Sequence, residues 1–244
     1  VHRVAGALEA PAQEVRDALF VFDNQDPHRA VYPSLRQGKA HGQPDLADMR
    51  DGVLANGAVD KVELGKGGEL FVRGRPWREV LAGHEAWLQQ RPEGWRASFT
   101  GLTFSGVKLE STNLRLAMLK GSTWLDCDLS GADLSGADLE EADLRQSVFI
   151  GTDFSGADLS RTRCDRACLA AANLSEATLS EVSLRKANLR EVRMLEATLS
   201  HCDFTGAFIR EGAFHQCRMF ECNFSQAELE KAIFYHAQLR ICRF

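Results

Sequence analysis

The sequence predicts a solenoid of short stacked coils, preceded by a small region of mixed helix and strand, and three observations carry that prediction. From Phe99 to Phe244 an apolar residue recurs at every fifth position without a slip. A small residue stands two places before almost every one of them. Residues 1–95 show no such register and hold all six prolines. An amphipathic helix repeats at 3.6 and a strand at 2, so an uninterrupted period of 5 belongs to neither and marks a short-repeat solenoid.

Residue types in the two columns say what the coil interior tolerates. The thirty central positions hold 16 Leu and 9 Phe, and the other five are Trp124, Cys164, Met194, Ile209 and Met219. Two places earlier stand 15 Ala and 5 Cys, the remainder being Ser, Thr, Val, Gly212 and Leu102. Nothing large and polar enters either column. Leu102 and Val107 fall in the first coil, where a cap can loosen the geometry, whereas Val182 and Val192 are departures in the middle of the run.

The segments CDLSGADLSGADLEEADLRQ (127–146), ADLSR (157–161), AANLSEATLSE (171–181) and KANLREV (186–192) resemble the A(D/N)LxX units of the pentapeptide-repeat family. The resemblance covers about residues 96–244. It implies a mainly β fold, a right-handed quadrilateral β-helix with four pentapeptides to a coil. Thirty central residues then make about 7.5 coils, and at a strand spacing of about 4.8 Å the rod is about 36 Å long. One coil cannot bury its four inward side chains alone, so stacking removes them from water. Residues 20 apart lie above one another. One such column reads Phe104, Trp124, Leu144, Cys164, Leu184, Phe204, Phe224, Phe244.

The region before the coils divides into a small α+β N-terminal domain (1–75) and a capping helix with its junction (76–95). A helix is expected over 12–20, a loop over 22–44 and a second short helix over 46–55. VDKVELG (59–65) and ELFVRG (69–74) alternate apolar and polar residues about a glycine turn, a hairpin signal. Pro76 opens a helix with Trp77, Val80, Leu81, His84, Trp87 and Leu88 at helical spacing. Trp87 and Leu88 are the expected cap of the first coil, whose bare edges and open apolar end invite aggregation. The other end looks bare, because the chain stops at Phe244 halfway round a coil. Its start at Val1 rather than Met suits a piece of a longer chain.

The polar chemistry points away from catalysis. The seven His residues form no HExxH pair, HEAW (84–87) lacks the second His, and no phosphate loop or nucleophile elbow occurs. No catalytic, metal-binding or cofactor-binding residue is assigned. Six of the seven Cys occupy inward positions and suit packing, and a ladder of Cys202, Cys222 and Cys242 offers no tetrahedral geometry for zinc. Reduced thiols and the absence of an apolar run of membrane-spanning length make the cytoplasm the expected setting, with no membrane span. Secretion as an effector is the other setting.

The surface therefore has to supply function. Some pentapeptide-repeat proteins imitate duplex DNA and bind type II topoisomerases, which needs acids along most of the rod. Asp128, Asp133, Asp138 and Asp143 fall on four successive faces as a ring, and Asp153 and Asp158 extend it. Residues 96–160 carry ten acids against five bases, but 161–244 carry ten against twelve. A net charge of −5 without a continuous basic stripe opposes nucleic acid as a partner. Outward apolar residues Phe208, Phe220, Ile233 and Tyr235, with terminal Phe244, are candidate protein contacts. The leading reading is a non-enzymatic protein-interaction scaffold, secretion-associated or effector-like, with an end-to-end homodimer through the C-terminal coil as one form of contact. The alternatives are a DNA-mimicking gyrase binder and an enzyme within residues 1–95.

Overall fold

The computed structural model describes the backbone of residues 19–21 and the whole of residues 62–65 and 68–244. In chain order the elements are β1 (Leu19–Val21), β2 (Val62–Leu64), β3 (Leu70–Val72), β4 (Arg75–Pro76) and α1 (Trp77–Leu88). The short strands β5 (Thr103–Ser105), β6 (Thr123–Leu125), β7 (Thr178–Ser180), β8 (Thr198–Ser200), β9 (Arg218–Phe220), β10 (Ile233–Tyr235) and β11 (Gln238–Arg240) belong to the coils. The chain from Phe99 onward is a β-solenoid of about 7 turns.

The coils keep the register that period 5 dictates. Each coil bonds to the next through parallel pairs 20 residues apart, among them Asp133↔Asp153, Arg163↔Ser183 and Asn223↔Arg243. Where three residues in succession extend, the pairs become strands: β5 with β6, and β7, β8, β9 and β11 as a four-stranded parallel sheet on one face. The central N–H donates upward, as Leu109 N–H does to Asp128 O at 2.7 Å, and the residue before a centre donates downward, as Asp128 N–H does to Val107 O at 2.9 Å. The N–H of the small residue closes the turn within its own coil, as Ala132 does to Leu129 O at 3.0 Å.

Corners cost backbone strain that the sequence alone does not announce. Every residue two places after a centre, from Gly101 to Ile241, has a φ between 53° and 70°, and only eight of these 29 are glycine. A side chain in the left-handed region costs about 1–2 kcal/mol. That cost is offset at most corners by a bond to the coil above, such as Ser111 N–H to Ser130 O at 2.9 Å and Glu141 N–H to Ser160 O at 2.8 Å.

Inside, the columns pack as rings and branched chains in layers. Phe104 stacks on Trp124 with centroids 3.9 Å apart, and Trp124 Nε1–H donates to the buried Ser122 Oγ at 2.7 Å, so a small hydroxyl satisfies the buried indole. At the other end Phe204, Phe224 and Phe244 form one parallel stack with spacings of 4.6 and 5.1 Å. Phe214 and Phe234 form a second, at 4.7 Å. Phe224 meets Phe214 and Phe234 edge-on at 6.3 and 6.2 Å across the interior. Val182 and Val192 are buried without displacing the register.

At the N-terminal end, β2, β3 and β4 form an antiparallel sheet, as the alternation in 59–74 predicts, and Pro76 caps α1. Trp77, Val80, Leu81 and His84 recur at i, i+3, i+4 and i+7, and Trp77 lies 5.5 Å from Phe99 and 6.5 Å from Phe104. The contact with the coil interior thus comes from the first two turns of the helix. Close approach fixes two glycines: a Cβ on Gly83 would lie 2.2 Å from the Trp95 ring, and one on Gly94 2.2 Å from Trp87 N.

The N-terminal segment differs from expectation at two points. Leu19 and Phe20, expected at the end of a helix, lie in β1, which pairs parallel with β10. The outer edge of β10 is therefore paired. Residues 12–18 and the segments expected as a loop (22–44) and a helix (46–55) lie outside the described residues.

Candidate protein-contact surfaces

The outward apolar residues gather in the last coils. Phe208, Phe220, Ile233 and Tyr235 are exposed, Tyr235 to 46%. Beside them stands Ile241, exposed to 71% and not singled out in the sequence reading. It occupies a corner with φ 57°, where a β-branched side chain is an outlier. An apolar residue in a corner column otherwise filled mainly by glycine, polar and charged residues was the signal available. Phe220 and Ile241 flank one side of the end, Ile233 and Tyr235 another, and Phe208 a third. Phe244 is half-buried on top of its ring stack. Exposed large apolar residues elsewhere among the described residues, Leu64, Ile150 and Leu195, are scattered.

The acidic ring is present but largely occupied. Asp128, Asp133, Asp138, Asp143, Asp153 and Asp158 each accept the backbone N–H two residues ahead, at 2.9 to 3.3 Å. These are Asx turns that set the corner, which explains why Asp and Asn recur in that position. The Ser130 hydroxyl, donating at 2.6 Å, holds the Asp128 carboxyl below its ordinary range. Burial raises Asp143, but hydrogen bonds from Arg145 and the charges of Arg145 and Arg163 outweigh it and lower its pKa. Next to the ring, Lys120 and Arg161 both reach Glu140, and Arg161 also binds Glu141 at 2.8 Å, a charge ladder running from coil to coil.

Cysteines and hydroxyls in the small column share one structural task. Ser147, Thr152 and Thr162 each donate to a carbonyl 23 residues earlier, at 2.8 to 3.0 Å, and Cys202 Sγ reaches Leu179 O at 3.2 Å in the same geometry. Cys217 and Cys242 repeat it with Met194 O and Met219 O. All seven thiols are free. Burial pushes the Cys217 thiol up to about 12, and the hydrogen bond with Cys202 pushes Cys222 to about 12. Such thiols are poor nucleophiles.

At the opposite end His84 joins three pieces of chain. It is 1% exposed, its Nδ1 accepts the Ala97 N–H at 3.1 Å, and its Nε2–H therefore donates to Arg115 O at 2.9 Å. Burial lowers its pKa below the ordinary 6.5. Trp87 stacks on the His84 ring at 5.7 Å, and the Arg96 guanidinium lies over the Trp87 ring at 5.7 Å. Leu88 is half-buried at the helix end. A concavity of about 510 Å³ lies between the hairpin and the first coils, lined by Leu64, Glu69, Trp77, Lys108, Glu110 and Thr112 among others. Among the described residues no group of His, Cys, Asp and Glu could hold a metal ion, and no helix is long and apolar enough to cross a membrane.

Comparison with known proteins gives a family. Eight copies of pentapeptide repeats match at residues 127–163, 167–206 and 213–244. No curated protein matches the chain. Among solved structures, the chain is similar to HetL, a pentapeptide repeat protein involved in heterocyst differentiation regulation in the cyanobacterium Nostoc sp. strain PCC 7120. The two are 21% identical over 63% of this chain and 92% of that one, with a TM-score of 0.21. Full-length QnrB1, a plasmid-mediated fluoroquinolone resistance protein, is 14% identical over 56% of this chain and 93% of its own, with a TM-score of 0.26. A pentapeptide repeat protein of the cyanobacterium Cyanothece 51142 is 18% identical over 66% and 95%, with a TM-score of 0.20. With their uninterrupted period of five, their bonds between residues 20 apart and their eight matched copies, the coils over residues 127–244 are pentapeptide repeats.

Proposed function

We propose that this chain is a non-enzymatic interaction scaffold that presents its C-terminal coils to a protein partner. The observation that carries the reading is the exposure of Phe208, Phe220, Ile233, Tyr235 and Ile241 within the coils from residue 205 onward. The family is generally a structural and interaction fold without enzymatic activity. Seven free thiols, several held protonated by burial, suit a reducing, cytoplasmic setting.

A second copy of the chain is the simplest partner to test, as an end-to-end homodimer. Light scattering at micromolar concentration should show association that Phe220→Ser combined with Ile241→Ser abolishes. A monomer at every concentration, with the patch replaceable at no cost to any partner, overturns the reading.

The acids support this scaffold over a DNA mimic of the kind that binds gyrase, because they serve the corners and the charge ladder and are outnumbered by bases beyond Asp158. Supercoiling by gyrase should be unchanged in excess protein. Inhibition in that assay favours the mimic instead.

A further inference from the structure

We infer that the outer edge of β10 is a strand-accepting site, and that its occupant is the chain's own segment Leu19–Val21, added as a detached rung. The inference stands apart from the scaffold reading, which concerns the outward faces of the same coils.

Each rung presents backbone N–H and C=O groups along its outer edge, and such an edge templates parallel pairing. On one face of this rod β1 occupies that edge, parallel to β10, with Leu19 opposite Ile233, Phe20 opposite Phe234 and Val21 opposite Tyr235. That is the register every rung keeps with the one beneath it. The sequence agrees independently of the pairing. Ala18-Leu19-Phe20-Val21 repeats the pattern of Ala232-Ile233-Phe234-Tyr235: a small residue, an outward apolar residue, a central Phe and a second apolar residue. Residues 1–95 contain three Phe, and Phe20 alone among them has a small residue two places before it. By register its backbone lies opposite Phe234, which stacks on Phe214.

The chain can make this connection within one molecule. Forty residues separate Val21 from Val62 at the other end of the rod. Extended, they reach about 130 Å, well beyond a rod of about 36 Å. A site filled by its own chain through backbone pairing and alternate side-chain positions is strand addition in cis. The partner class it selects is an extended peptide of the form small-x-Phe-apolar, and such a peptide gains access only when Leu19–Val21 leaves.

The test uses the full chain. Leu19→Cys combined with Ile233→Cys, treated with a short bismaleimide and mapped by mass spectrometry, should give an intramolecular link between positions 19 and 233. Leu19→Cys with Phe208→Cys should not. No 19–233 link, or a link only between two chains, overturns the inference. In hydrogen exchange, Phe20→Asp should speed exchange over residues 232–236 at least tenfold, while Phe20→Leu leaves it near the wild-type rate. A peptide spanning residues 15–23 should bind the Phe20→Asp chain, restore that protection, and bind the wild type at least tenfold more weakly. Equal binding to both, or none to the Phe20→Asp chain, also overturns it.

Discussion

Replacing Phe224 with alanine is expected to cost about 3–5 kcal/mol and to fray the rod from its C-terminal end rather than unfold it as a unit. Its ring is 1% exposed, sandwiched between Phe204 and Phe244 and met edge-on by Phe214 and Phe234. Truncation therefore removes the transfer energy of a whole ring, the parallel contacts on both faces and the support of two edge contacts. The neighbours cannot collapse into the gap, because the backbone of each coil is pinned every few residues to the coils above and below. Phe244→Ala should cost less, about 1–2 kcal/mol, since that ring is only half-buried. Because each coil touches only its neighbours, hydrogen exchange should rise in the coils from about residue 204 onward and stay near wild type between 110 and 180. A uniform rise along the rod would show that the coils fold as one cooperative block.

That locality also explains how much of the structure was legible in the sequence. The register was readable because a single constraint, one inward side chain in every five residues, is repeated thirty times without insertion, so the pairing of Asp133 with Asp153 follows from counting. Outward exposure of Phe208, Phe220, Ile233 and Tyr235 followed from the same phase. Features set by side-chain hydrogen bonds did not follow. The six aspartates read as a surface charge ring, yet their carboxylates set corner geometry, and only atomic positions distinguish an Asx turn from a free acid. Trp87 and Trp77 both lie at helical spacing, and the crossing of the helix over the first coil brings Trp77 to Phe99. The β1–β10 pair was beyond reach for another reason. It joins residues more than 200 apart through one three-residue match, and local helical propensity around Leu19 pointed the other way until the outer edge of β10 outweighed it.

His84 should make the N-terminal end of the rod sensitive to mild acid, and His84→Ala should cost about 2–4 kcal/mol at neutral pH. The substitution strips partners from the buried Ala97 N–H and the part-buried Arg115 C=O, and removes the link between the helix, the junction and the first coil. The pH effect follows from the tautomer. Nδ1 must stay unprotonated to accept the Ala97 N–H, and burial, reinforced by the Arg96 charge, disfavours the cation more than the Arg115 carbonyl and Glu85 favour it. The folded pKa therefore lies below the unfolded value near 6.5, so the unfolded chain takes up its proton first. The contribution of His84 is complete above about pH 6.5 and is lost as pH falls through the folded pKa, with a slope of at most about 1.4 kcal/mol per pH unit for one proton. The carboxylates with depressed pKa values, Asp128, Glu140 and Asp143, act in the same direction but at lower pH, since their unfolded values lie near 4. Urea unfolding of the wild type and of His84→Gln, whose amide keeps one donor and one acceptor but does not titrate, separates the two. The stability difference between them should shift in favour of the glutamine variant as pH falls from 7 to 5. If the two curves run parallel over that range, the imidazole is not held neutral by the fold, and the bond to Ala97 is not what ties the helix to the first coil.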